Sequence, residues 1–290
     1  MTGNAFDPKT LATDLSCVRN IYADFFAGLT AEDWRLPEKD GGNEWNLREV
    51  VAHLSALSQL LQDSVQAALL GEEISDPALP SRFAFSQFNR LKIDERLHLP
   101  VEALEACFLE ALSQSIDTAR KLRPEELDCT VTLPIYNRPV SVGEMLGIQM
   151  FHSGLIHAAQ VAEPAGVSAL WTHLPAYVRH RVITRFTRAL SLLYRQDLGG
   201  ELRAVLAFRV AGEGGGSWHV DVSPEEPRSA EGEVERADLS LWFGDTSVLF
   251  KMFTGRLNLL GAVLIGKLRP RGDLRLLFRM GKLFSVDAKG

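Results

Sequence analysis

Cysteine is scarce and scattered, with three in 290 residues at positions 17, 107 and 129. An odd count with no C-x-x-C pair offers neither a disulfide framework nor a thiolate metal clip, and fits a reducing compartment. Long apolar runs are missing too. The richest, "NLLGAVLIG", falls far short of the roughly 20 residues a membrane span needs, so no stable membrane insertion is expected. The opening "MTGNAFDPKT" has no charged segment followed by an apolar run, so no signal peptide is expected. Positive charge is in deficit: 31 Lys and Arg against 37 Asp and Glu give a net charge of −6, which argues against a general nucleic-acid binder. A phosphate-cradling glycine loop is lacking as well; "GEGGGS" precedes no helix pattern and reads as a hairpin turn. The expectation is a cytoplasmic protein acting on small molecules.

What is present is apolar patterning. Hydrophobic residues make up 46% of the chain and charged ones 23%, enough to bury a core in each of two ordinary domains. Up to about residue 163 the apolar period is that of amphipathic helices. One helix runs from Leu47 to Leu70 with Val50, Leu54, Leu57, Leu61 and Val65 along one side, opened by an Asn46/Glu49 capping box. Another starts at the Ser141/Glu144 box and continues to about Val161, and helices near 7–28 and 101–122 complete a four-helix bundle. The prolines and glycine of 164–176 read as a linker. Beyond it, a helix over 177–194 is followed by alternation. Leu202, Ala204, Leu206, Phe208 and Val210 share one strand face, as do Trp218, Val220 and Val222, and "ADLSLWF" and "GDLRLLF" are read as further strands. Between the last two, "DTSVLFKMFTG" reads as a short helix capped near Asp245. The fold class is therefore α plus α+β, with domains 1–163 and 177–290.

The stretch "ADLSLWFGDTSVLFKMFTGRLNLLGAVLIGKLRPRGDLRLLF", residues 237–278, resembles the sterol carrier protein 2 (SCP2) family in its order of strand, Asp-capped helix, T-G-x-L, apolar helix and G-K-L-x-x-x-G-D. That resemblance implies a sheet with an apolar tunnel for lipids and no catalytic residue. The bundle resembles the DinB-like metal-binding proteins, and in particular the mycothiol-dependent maleylpyruvate isomerase branch. Two stretches carry this: "EWNLREVVAHL", with His53, and "IHAAQVAEPAG", with His157 and then Gln160 in an H-x-x-Q arrangement, where the isomerase branch has Asp. The order of the two domains is also that isomerase's. The resemblance implies a divalent metal, zinc above all, and a low-molecular-weight thiol such as mycothiol, activated to attack an electrophilic carbon.

The ligand set is unusual. By resemblance the third ligand sits four residues before the last histidine, where this chain has Ser153, a poor zinc ligand. His152 lies five before His157, about 140° away around an ideal helix. A π-bulge near Gly154 would bring both rings to one side. The candidate ligands are thus His53, His157 and His152, their coordinating nitrogens roughly 3–4 Å apart if they share one zinc. The competing reading for each is a core histidine bonded to a carbonyl.

For the C-terminal half, an apolar cavity is expected between sheet and helices near 246–265, lined by Leu249, Phe250, Phe253 and Leu260. Two functions stay open: a metal- and thiol-dependent isomerase or transferase acting on a small electrophilic substrate, or a non-catalytic SCP2-type binder of a lipid or other hydrophobic ligand with a degenerate metal site.

Overall fold

The computed structural model describes residues 4–36, 45–225 and 227–285; residues 1–3, 37–44, 226 and 286–290, which the expected domains include, lie outside the described residues. Helix α1 (Pro8–Ala27) starts where the Asp7 carboxylate accepts the Lys9 amide and Pro8 takes the first turn, whose N–H groups have no helical partner anyway. Helix α2 (Leu47–Leu70) is framed by the Asn46/Glu49 box and stops at Gly71, whose φ of 70° suits glycine. Helices α3 (Phe85–Asp94) and α4 (Val101–Lys121) follow, then the two-residue strands β1 (Thr130–Val131) and β2 (Val140–Ser141). Helix α5 (Val142–Phe151) begins at the Ser141/Glu144 box and widens into a π-helical turn over His152–Ile156. Helix α1 packs on α4 and α5, and α2 on the same two, closing the expected four-helix bundle. Helix α3, which the sequence patterning did not single out, leans on α2.

The second half opens with α6 (Ala176–Leu193) and the short α7 (Gln196–Gly199), then β3 (Ala204–Val210), β4 (Gly216–Val222), β5 (Arg228–Glu231) and β6 (Leu239–Phe243). Next come α8 (Thr246–Phe253), α9 (Leu259–Leu264), β7 (Leu268–Gly272) and α10 (Leu274–Leu283). The sheet order is β5-β4-β3-β6-β7, antiparallel throughout except for β3 with β6. Alternation explains its dry face: Leu206, Phe208 and Val210 of β3, Trp218 and Val220 of β4, and Leu241 and Phe243 of β6 are all buried.

One expectation needs correcting. "GDLRLLF" is not a strand: β7 is the preceding "LRPRG", and Asp273 caps α10 by accepting the Arg275 amide. Leu276, Met280 and Leu283 are the buried residues of α10, spaced four and three apart, and this helical period outweighs the local leucine run. The 164–176 segment, read as a linker, has structure of its own. It makes a tight turn over Leu170–His173 whose buried Trp171 packs edge-on against Phe250, ring centres 5.5 Å apart.

Helix α6 belongs to both halves. It packs on α5 on one side and on β4 and β5 on the other. From it Arg185, fully buried, reaches Asp14 of α1 at 2.7 Å. Arg256, after α8, pairs with Glu163 at the end of the bundle segment at 2.9 Å. These ties fix the C-terminal helices over one end of the bundle.

Candidate metal centre

His53 sits within the second turn of α2, facing α5, while His152 and His157 bracket the π-helical turn. In that turn the His157 amide donates to the His152 carbonyl five residues back, at 3.1 Å. The wider turn absorbs one extra residue and returns His157 to the side of His152, which a regular α-helix would not do. Two contacts with α1 hold the turn. The Tyr22 hydroxyl donates to the Ser153 carbonyl at 3.0 Å, giving the widened turn a partner from outside the helix. Gly154 lets the turn come close: a Cβ there would lie 3.2 Å from a Val18 methyl.

The three rings converge. His152 Nε2 lies 3.2 Å from His53 Nε2 and 3.0 Å from His157 Nε2. For comparison, a tetrahedral ion with bonds of about 2.0–2.1 Å sets such nitrogens about 3.3 Å apart. Ser153, at the position the resemblance singled out, is buried, its hydroxyl without a hydrogen-bond partner. Burial, reinforced by the neighbouring rings, holds His53 and His152 well below the usual imidazole range. Burial brings His157 down to about 4, opposed by its bond to Gln160 and helped by the charge of Arg256. Three neutral imidazoles therefore face one another.

Proton counting tests whether they fit a metal. His157 Nδ1 contacts Gln160 Oε1, so that nitrogen carries the proton and His157 Nε2 keeps its lone pair. His152 Nε2, in the middle of two close contacts, is either a donor or an acceptor. If it donates to His157, it has no lone pair for His53; if it accepts from His53, it faces the His157 lone pair. At best one His152 hydrogen is shared between two lone pairs, a weaker arrangement than two full hydrogen bonds. A cation receiving three lone pairs satisfies every nitrogen, and the donor set fits. Gln160 serves here as the partner that fixes the tautomer. Gln160→Leu is expected to weaken metal affinity roughly 10- to 100-fold with the fold intact, as loss of an outer hydrogen-bond partner does elsewhere. Competition against a chelator of known affinity measures this.

The histidines form one wall of a cavity of about 740 Å³ between the bundle and the C-terminal helices. Trp45, its ring centre 5.1 Å from that of His53, and Tyr136 contribute from the bundle side; Phe186, Phe253, Leu277 and Phe278 contribute from α6, α8 and α10. Of the residues expected to line an apolar cavity, Phe253 does so. Leu249 and Phe250 are fully buried in packing, and Leu260 is 71% exposed. The cavity differs from the expected one because α8 seats Leu249 and Phe250 in the core, leaving the space between the halves instead of beneath the sheet. No spacing in the sequence announces Phe186, Leu277 or Phe278, whose role depends on how the halves meet. The remaining histidines lie elsewhere; His180, for example, bonds Glu231 at 2.8 Å.

Residues 15–161 match the model of the DinB superfamily, and residues 188–285 that of the SCP-2 sterol transfer family. In structure, the chain is similar to a mycothiol-dependent maleylpyruvate isomerase: TM-score 0.56, 16% identity, covering 86% of this chain and 90% of that one. At that identity the likeness is one of fold. In sequence, it is similar to hydroxysteroid dehydrogenase-like protein 2 of Mus musculus, 33% identical over 84 residues, which is 29% of this chain and 17% of that protein. The Homo sapiens protein of the same name is 31% identical over 90 residues, 31% of this chain and 21% of its own length. The chain thus matches only about a fifth of the length of these curated relatives.

Proposed function

The chain belongs to the DinB superfamily, and from that premise we propose a metal- and thiol-dependent isomerase or transferase that acts on a small electrophilic substrate in the cavity between the two halves. The observation that carries this is the convergence of His53, His152 and His157 Nε2 atoms on the wall of that cavity. A divalent ion in this all-imidazole set, for which zinc is well suited, supplies Lewis acidity at an open position and lowers the pKa of a thiol there. The chain's own residues do the rest. Gln160 holds His157 in the ligating tautomer. Trp45, Phe186, Phe253 and Phe278 make the walls apolar, favouring an electrophile with an apolar body and keeping bulk water away from a reactive thiolate. Burial, together with the nearby Glu144 charge, pushes the Tyr136 phenol up, so at neutral pH it remains a donor on the cavity wall.

Support for the thiol comes from the structural neighbour, whose name specifies mycothiol; the reading here is mycothiol or another low-molecular-weight thiol. The SCP-2 match and the apolar walls favour a second reading, in which the same cavity takes a lipid or other hydrophobic ligand without chemistry. One experiment separates the two. The zinc-loaded protein is mixed with mycothiol, glutathione or a simple alkyl thiol and an electrophile, either maleylpyruvate or an aryl halide, and thiol loss or isomer formation is followed with and without chelator. Chelator-sensitive turnover is the expected result. A protein that turns over nothing yet carries a lipid into an organic extract sinks the enzyme reading in favour of the binder.

A further inference from the structure

Charge is unevenly distributed along this chain. The whole carries −6, yet between Asp245 and Ser285 eight Lys and Arg stand against two Asp. Arg256 is taken up by Glu163 and Arg275 pairs at the surface with Asp273 at 2.9 Å, while Lys251, Lys267, Arg269, Arg271, Arg275, Arg279 and Lys282 are all exposed. The same segment holds the most exposed cluster of large apolar side chains among the described residues. On and after α9, Leu260 is 71%, Leu264 77% and Ile265 69% exposed, and on α10 Phe278 is 77% exposed. Exposure on this scale marks an interaction surface.

The arrangement within α10 narrows the choice of partner. Leu276, Met280 and Leu283 satisfy the inward stripe. On the opposite side Leu274 and Phe278 lie one turn apart, with Lys282 a turn further on and Arg275 and Arg279 beside them. An outward apolar strip flanked by cations is the pattern of a helix that lies in a membrane interface. Helix α9 stands at the same rim, since its Leu259 and the Phe278 and Leu277 of α10 line the histidine cavity together. A second copy of the chain is a poor occupant, because a twofold contact would set this cationic ring against itself. No helix of the described residues is long and apolar enough to cross a membrane, so any contact of this kind is peripheral.

We propose that the α9–α10 rim docks the protein on an anionic lipid bilayer, placing the mouth of the histidine cavity against the acyl layer. The apolar tips of Leu264, Ile265 and Phe278 enter the interface while Arg275, Arg279 and Lys282 meet acidic headgroups. The proposal does not depend on the metal, and its test keeps the two apart. The full chain is sedimented with vesicles of phosphatidylcholine alone or with phosphatidylglycerol added, at low and at high salt. Expected are binding about 100-fold tighter on the acidic vesicles, lost in high salt, and a fall of about tenfold or more in the Leu264→Ser/Phe278→Ser double variant. Arg275→Glu/Arg279→Glu/Lys282→Glu is expected to abolish the preference for acidic lipid. His53→Ala, aimed at the metal centre, is expected to bind vesicles like the wild type. Because the altered side chains are exposed, circular dichroism should show unchanged helicity in every rim variant. Wild-type protein that stays in the supernatant with both vesicle types overturns the proposal. So does a concentration-dependent dimer dissolved by the Phe278 change, which would make the rim a contact between copies.

Discussion

Replacing His152 with alanine is expected to empty the metal centre as completely as replacing His53, dropping bound zinc from about one per chain to near zero. His152 Nε2 is the middle atom of the cluster, within 3.2 Å of both other nitrogens. Three protein ligands are the norm at catalytic zinc sites, and a two-histidine remnant binds weakly. The loss should exceed the roughly 100-fold that removal of an outer partner costs, which ranks it above Gln160→Leu. Elemental analysis of the purified wild type, His53→Ala, His152→Ala and His157→Ala, each after zinc loading and gel filtration, reads the result. Zinc kept by His152→Ala would mean a two-histidine site. A wild type that takes up no zinc would end the metal reading, because the proton-counting argument would then have a different solution.

The second large effect concerns the length of the turn rather than its ligands. His152 and His157 are separated by four residues, and the π-helical turn makes that spacing behave like the three-residue separation of a regular helix. Deleting Gly154 should let the turn close to ordinary α geometry with both rings still on one side, and zinc should be retained. Inserting one alanine after Gly154 should rotate one ring about 100° away from the other and reduce affinity by about 100-fold or more, comparable to losing a ligand. Chelator competition on both variants gives the answer, and far-ultraviolet circular dichroism guards against misfolding. Equal loss in deletion and insertion would show that the turn's own contacts, Tyr22 to the Ser153 carbonyl and Gly154 against Val18, decide the site, and not the angle between the rings.

This spacing also shows what could be read from the sequence and what could not. The bundle helices were legible because Asn46 with Glu49 and Ser141 with Glu144 announce their starts and the apolar period follows at once. The sheet was legible where alternation ran for several residues, as in β3. It failed at "GDLRLLF", where a single aspartate cap and a buried spacing of four and three had to be weighed against a run of leucines. The histidines were visible as candidates, but an α-helical ruler put His152 on the wrong side, and only a backbone irregularity supported from α1 reverses that. The cavity was not legible. Its walls join Trp45 of the bundle to Phe278 of the last described helix, and such a meeting is set by tertiary packing, with no local pattern to reveal it.

The buried pair of Asp14 and Arg185 has a consequence for how this chain behaves as a thermodynamic object. Asp14 lies in the bundle and Arg185 in the helix that starts the second half, and both are withdrawn from water. Asp14 is held by Arg181 as well as Arg185, and the helix that carries both arginines packs on α5 as well as on β4 and β5, so separating the halves breaks this cluster and uncovers both faces of α6. Neither half can loosen without weakening the other, so heat or denaturant should meet a single cooperative unit. The boundaries of inheritance, two matched families in tandem with α6 beginning between them, are then expected not to coincide with the boundary of melting, and coincident unfolding of the two halves in calorimetry and in denaturant checks this.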